Sequence, residues 1–124
     1  MHLKIETQNV AQLDSALNLA LLESRFEEAF ETLYDENVIM QENASPPCAG
    51  KIANRKRQEY YGTVAECTGV RLLGSAVSGD QSYSEWEFDI TFQGLSYKIA
   101  EVAVRKWREG KVVSERFYWN QAGR

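Results

Sequence analysis

The chain has 124 residues, enough for one domain but too few for two halves that each bury a sound core. Its 14 Lys and Arg against 18 Asp and Glu give a net charge of −4, which argues against a general nucleic-acid binder with a strongly basic surface. A hydrophobic fraction of 44% excludes a disordered chain, and no apolar run approaches the roughly 18 residues that cross a bilayer. We expect one domain over residues 1–124 that associates with neither nucleic acid nor a membrane.

The N-terminal segment and the few cysteines and histidines narrow the chemistry. Residues 1–6 lack the apolar core and cleavage site of a signal peptide, so we expect a cytoplasmic protein. Cys48 and Cys67 have no CxxC spacing, which favours free thiols over a disulfide. His2 is the only histidine and lies in a loose lead-in over residues 1–9, which argues against a zinc site or a histidine-based triad. We expect no metal and no cofactor, so carboxylates, tyrosines, Asn or Lys must carry any chemistry.

Two helices are predicted at the start of the chain. Apolar residues recur at spacings of three and four over residues 10–22 and predict the first helix. Ser24 and Glu27 have the spacing of a capping box, so a second helix is expected to begin near Arg25. Residues 35–37 are expected to end this second helix.

A strand, a loop and a third helix follow. Residues 38–42 are typical of a short strand, and residues 43–50 carry both prolines and form the one clear loop. A third helix with a basic face is predicted from Lys51 to about Cys67.

The second half of the chain predicts strands. Residues 70–77, 81–92, 96–108 and 111–120 alternate in character and are separated by turn dipeptides, which mark hairpins. Helices followed by such a meander indicate an α+β fold, with the helices packed on one face of an antiparallel sheet.

The alternation also indicates which faces are buried. Trp86, Phe88 and Ile90 share one face of their strand with acidic residues opposite, so that face is expected in the core. Both sides of strand 96–108 are apolar. We expect the helices to cover one side and a second copy of the chain to cover the other, as a homodimer through the outer sheet face.

Glu101 interrupts the apolar run over residues 99–104, where an unpaired carboxylate would be costly. One interpretation is a satisfied ion pair with Arg105 or Arg116. The other is a carboxyl group in a pocket, with a pKa raised by desolvation, that acts as acid, base or ligand contact.

The order of these elements resembles the nuclear transport factor 2-like superfamily, which includes ketosteroid isomerases and SnoaL-like polyketide cyclases. The resemblance covers residues 10–120 and is carried by the segments FEEAFETLY (26–34), VRKWREGKVV (104–113) and ERFYW (115–119). It implies a cone-shaped fold in which three N-terminal helices pack on a strongly curved, mainly antiparallel mixed β-sheet that encloses a pocket. This superfold hosts enzymes, binders and assembly domains, so the resemblance is specific for fold rather than activity.

The resemblance also implies site residues. The isomerase general base falls on Glu42, which could move a proton beside a carbonyl in a dry pocket. The oxyanion-hole tyrosine falls near Asn18, a weaker donor, and the acid that completes the hole falls on Ala103. The acid/base positions of the cyclases fall near Phe92 and Ala103. The catalytic candidates are therefore Glu42, Glu101 and Asn18. The implied ligand-binding wall contains Leu22, Tyr34, Tyr61, Trp86, Phe88, Ile90, Ile99, Ala103, Glu115 and Trp119.

Three functions stay open at this point. The first is a cofactor-independent isomerase, cyclase or hydratase-like enzyme that performs acid–base chemistry on a small hydrophobic, carbonyl-bearing molecule. The second is a module that binds such a molecule without catalysis. The third is a protein-interaction module in which Trp86, Phe88 and Trp119 fill the cone as ordinary core.

Overall fold

Three helices pack against one mixed sheet in the computed structural model, which describes residues 9–120. The helices are α1 (Val10–Leu22), α2 (Phe26–Leu33) and α3 (Lys51–Val64). The strands are β1 (Tyr34–Glu42), β2 (Cys48–Ala49), β3 (Ala65–Ser78), β4 (Gln81–Phe92), β5 (Leu95–Arg108) and β6 (Lys111–Trp119). His2 and all of the predicted lead-in except Asn9 lie outside the described residues.

The strands form one curved sheet in the order β2-β1-β6-β5-β4-β3. Strands β3 to β6 pair antiparallel with their neighbours, whereas β1 runs parallel to β6. The register sets Trp86, Glu101 and Trp119 side by side across β4, β5 and β6. The predicted α+β class, with three helices on a mainly antiparallel mixed sheet, is confirmed.

The hydrophobic core lies between the sheet and the first two helices. Leu13 and Leu17 of α1 pack with Phe30 of α2, and Trp107 and Val112 close the core from the sheet. Removing these side chains from water supplies about 25 cal/mol for each Å² of apolar surface. Within residues 9–120, no helix has the length and apolar character needed to cross a bilayer.

The capping box lies at the start of α1 rather than α2. The Asn9 side chain accepts from the Gln12 backbone N–H at 2.9 Å, and the Gln12 side chain accepts from the Asn9 N–H at 3.2 Å. The predicted box of Ser24 and Glu27 is wrong, because Arg25 caps α2 without any side-chain hydrogen bond. Ser24 instead adopts a positive φ of 59° in the tight turn that closes α1.

Sheet pairing moves three predicted boundaries. Residues 35–37, expected to end α2, lie inside β1, whose parallel pairing with β6 already includes Tyr34. Helix α3 ends at Val64 instead of near Cys67, because Ala65 already pairs with β4. The predicted loop over residues 43–50 contains the two-residue strand β2, which pairs with β1.

Candidate functional site

A cavity of about 280 Å³ lies between the inner face of the sheet and residues of all three helices. It combines aromatic side chains with three carboxyl groups and two guanidinium groups. Its wall consists of Leu21, Phe26, Met40, Glu42, Arg57, Gln58, Tyr61, Trp86, Phe88, Glu101, Ala103, Arg105, Glu115 and Phe117.

Seven of the 13 predicted site residues line this cavity. They are Glu42, Tyr61, Trp86, Phe88, Glu101, Ala103 and Glu115. Period-two alternation along β4, β5 and β6 brings most of them onto the same inner face.

The other six predicted residues do not line the cavity. Asn18, Tyr34 and Trp119 are not part of the wall, but each forms a hydrogen bond with a residue that lines it. Ile90 and Ile99 are half-buried further along their strands, and Leu22 at the end of α1 is 39% exposed.

A buried hydrogen-bonded network centred on Arg105 supports the cavity floor. Arg105 is 1% exposed. Its Nε donates to Glu115 Oε2 at 2.8 Å, and its Nη1 donates to Asp14 Oδ1 at 2.8 Å and to Asn18 Oδ1 at 2.7 Å. The Tyr34 hydroxyl donates to Glu115 Oε1 at 2.5 Å. Such charge-assisted bonds hold the donors and acceptors in fixed orientations.

Two serines and a tryptophan extend this network along β4 and β5. Ser82 Oγ donates to Asp14 Oδ1 at 2.7 Å and accepts from Trp107 Nε1 at 3.0 Å. Asn18 Nδ2 donates to Ser84 Oγ at 3.0 Å. Sequence reasoning missed this network. The only available signals were the polar positions on the inner faces of strands that otherwise bury apolar residues.

Within residues 9–120, the Glu101 carboxyl group has no hydrogen-bond or ion-pair partner. The predicted ion pair is wrong, because Arg105 pairs with Asp14 and Glu115, and Arg116 makes other contacts. Burial, followed by the charges of Glu115 and Glu42, raises the pKa of Glu101 from 4.5 to about 8, and Arg105 opposes part of this rise. The carboxyl group therefore keeps its proton at neutral pH.

Glu42 is held at the cavity by two donors. Arg57 Nη1 donates to Glu42 Oε2 at 3.0 Å, and Trp119 Nε1 donates to Oε1 at 2.9 Å. Each oxygen retains acceptor capacity for one further hydrogen. Although three carboxyl groups face the cavity, no group of three or more His, Cys, Asp or Glu within residues 9–120 is arranged to hold a metal ion.

Comparison with known proteins agrees with this architecture. The family model for the SnoaL-like domain matches residues 5–119. A proposed SnoaL-like polyketide cyclase from Mesorhizobium loti is 24% identical with a TM-score of 0.85, over 90% of this chain and 99% of that one. A proposed isomerase from Bacillus subtilis is 22% identical with a TM-score of 0.74, over 90% and 86% of the two chains.

A more distant similarity is to an LEH-like epoxide hydrolase from M. tuberculosis. It is 12% identical with a TM-score of 0.73, over 90% of this chain and 83% of that one. No curated protein matches the chain. At these identities the solved structures establish the shared fold but not a shared reaction.

Proposed function

Because the chain belongs to the SnoaL-like family, as its sequence predicts, we propose that its cavity binds a small, largely apolar molecule and performs cofactor-independent acid–base chemistry on it. The observation that carries this proposal is the presence of two carboxyl groups in contrasting environments on one cavity wall. Glu42 is paired with Arg57, whereas Glu101 is largely buried and has no hydrogen-bond or ion-pair partner in the described part of the chain. Such a contrast separates a base from an acid.

The proposed roles follow from the two environments. Glu42, as the base, removes a proton from a carbon beside a carbonyl while a carbon–carbon double bond forms. Glu101, protonated at neutral pH, gives its proton to the carbonyl oxygen. Glu42 then returns its proton to a different carbon of the enol, and the hydroxyl proton goes back to Glu101. The net reaction is an isomerisation that consumes no co-reactant.

The remaining wall favours an apolar ring as the ligand. Trp86 and Phe88 stack at 5.8 Å with an interplanar angle of 16°, and Phe26 and Phe117 add further aromatic surface. The cavity volume of about 280 Å³ is just below the roughly 300–1,000 Å³ typical of ligand sites. We therefore expect a compound of one ring rather than a polycyclic one.

Non-catalytic binding is the second candidate. Both oxygens of Glu42 already accept hydrogen bonds, from Arg57 and Trp119, an arrangement that also suits a fixed ligand contact. The unfilled cavity itself weighs against the third possibility, an interaction module whose cone is filled by its own side chains.

Turnover of cyclohex-3-en-1-one separates the two candidates. We expect wild-type protein to convert this ring ketone to its conjugated isomer, followed by NMR in deuterated buffer. Glu42→Gln and Glu101→Gln should each slow conversion by about 100-fold or more, the usual range for a general acid or base. Glu85→Gln, on the exposed outer face of β4, is the matched control and should not slow it.

Ligand binding is followed in parallel by thermal shift. Wild-type rates in both cavity variants would overturn the catalytic roles. A melting temperature raised by the ketone in a wild-type protein without turnover would favour the binding module.

A further inference from the structure

A chain of hydrogen bonds connects the beginning of α3 to the Glu42 carboxylate. Asn54 is fully buried, and its Nδ2 donates to the backbone oxygens of Cys48 at 3.0 Å and Gly50 at 2.8 Å. Its Oδ1 accepts from Arg57 Nη2 at 3.3 Å, and Arg57 Nη1 donates to Glu42 Oε2 at 3.0 Å. The backbone around β2 therefore fixes the amide, the amide orients the arginine, and the arginine contacts the proposed base.

We propose that Arg57 is a positioning residue, oriented by Asn54, that holds the Glu42 carboxylate in the orientation in which it transfers a proton. This inference rests on the proposed function, since it takes Glu42 to be the base. It gives Arg57 a role through Glu42 and not through contact with the ligand. The first two turns of α3 thereby become part of the structure that supports the reaction.

Donors from two different elements fix the two oxygens of Glu42. Trp119 Nε1, at the end of β6, donates to Oε1 at 2.9 Å, and Arg57 of α3 donates to Oε2. A carboxylate held at one oxygen alone can still turn about that hydrogen bond, whereas two donors fix its plane. Glu42 needs this restraint, because its side chain is 33% exposed and it is the last residue of β1. A catalytic group displaced by about 1 Å can lose about 100-fold in rate.

The planar guanidinium group suits this role better than another cation. One of its terminal nitrogens donates to Asn54 and the other to Glu42, so both hydrogen bonds start from one rigid plane. A lysine has a single ammonium group on a flexible chain and does not reproduce that geometry. The spacing of three residues places Asn54 and Arg57 next to each other on one face of α3.

The predicted basic face of α3 is divided among different partners. Arg55 pairs with Glu31 of α2. Arg57 pairs with Glu42 of β1 and lines the cavity. Lys56, between these two arginines, is exposed to solvent. The chain therefore offers a control cation one position away from the proposed positioning residue.

Turnover of cyclohex-3-en-1-one by Arg57→Ala tests the inference. We expect kcat to fall by about 10- to 100-fold with little change in KM, because the lost contact orients the base and not the ligand. Arg57→Lys should recover only part of the loss, since it restores the charge without the planar group. Lys56→Ala, which removes an exposed cation from the same helix, is the matched control and should keep the wild-type rate.

Two further readouts separate a positioning role from a structural one. Guanidinium ion at millimolar concentration should restore part of the rate of Arg57→Ala in a saturable way, and it should not accelerate the wild-type protein. In a Glu42→Gln background, Arg57→Ala should not slow the residual rate further, because the carboxylate that it orients is already absent. Circular dichroism checks the fold of each variant, and Arg57→Lys carries the test if Arg57→Ala does not fold.

The failures are distinguishable. A wild-type or faster rate in Arg57→Ala, or a lowered rate that guanidinium ion does not raise, would overturn the positioning role and leave Glu42 as the base. A raised KM with unchanged kcat, or a further loss in the Glu42→Gln background, would overturn it in favour of direct contact between Arg57 and the ligand. If the wild-type protein did not turn over the ketone, the catalytic part of the proposed function would fail, and the positioning role would fail with it.

Discussion

The carboxyl group of Glu101 couples the chemistry of the cavity to the stability of the fold. Its pKa rises from 4.5 to about 8 through burial and the nearby charges of Glu115 and Glu42. Between these values the folded protein holds a proton that the unfolded chain has released. The stability that this group contributes is therefore fully present below pH 4.5 and is lost as the pH rises through about 8.

Glu101→Gln tests this linkage. The amide cannot ionise, so the variant should lose the fall in unfolding free energy of up to about 1.4 kcal/mol per pH unit that the wild-type carboxyl group imposes across this window. Calorimetric melting temperatures from pH 5 to pH 9 should show a flatter profile for Glu101→Gln, and its advantage over wild type should grow with pH. Profiles that run parallel would mean that Glu101 does not titrate in this window.

Some site residues could be predicted from the sequence and others could not, because only some depend on local alternation. Trp86, Phe88 and Glu115 lie on strands whose alternation indicates the inner face, so their placement needs only local information. Asp14 contacts Arg105, which lies 91 positions further along the sequence. The spacing of apolar and polar residues does not predict such a contact. A buried polar network is thus harder to predict than an apolar face, because its members are matched by distance in space rather than by spacing in the chain.

At the scale of elements, periodicity located the helices and most strands, whereas the ends depended on partners. Tyr34 has helical residues before it, yet it joins β1 because it pairs with Val112 of β6. Ala65 ends α3 for the same reason, through its pairing with Phe92. Local sequence alone does not contain these boundaries, since each is set by a strand far along the chain.

The turn between α1 and α2 offers a test at this scale. Ser24 adopts a φ of 59°, a conformation that an L side chain populates at a cost and that glycine adopts readily. Ser24→Gly should therefore raise the unfolding free energy by about 0.5–1 kcal/mol, seen as a higher urea midpoint with an unchanged slope. Ser24→Ala is the matched control, since it removes the hydroxyl without relieving the backbone. Stabilisation by both variants would contradict the backbone explanation.

At the scale of the whole molecule, one polar network joins the layers that form the cavity. Asp14 of α1, Tyr34 of β1, Arg105 of β5 and Glu115 of β6 are linked through hydrogen bonds of 2.5–2.8 Å. These bonds fix the first helix to the inner face of the sheet beneath the cavity floor. The cavity can therefore stay open, because hydrogen bonds rather than apolar packing fix the side chains at its floor.

The outer face of the same sheet has exposed apolar side chains. Val102 is 37% exposed and Tyr118, which pairs with it across β5 and β6, is 45% exposed. Glu85 lies opposite Val102 on β4. We propose that a second copy of the chain packs against this face, since neighbouring apolar side chains on a sheet favour association.

Val102→Glu tests the dimer, because association would bury the new carboxylate beside Glu85 of the same chain and would lose an apolar contact. Sedimentation velocity of the wild-type protein should give twice the chain mass of 14.1 kDa, and the variant should shift toward a single chain. Ile52→Glu, at an exposed apolar position on helix α3 and so on the other side of the sheet, is the control and should leave the mass unchanged. A wild-type protein that sediments as one chain at high concentration would contradict the proposal. The outer face would then be exposed to solvent in a monomer.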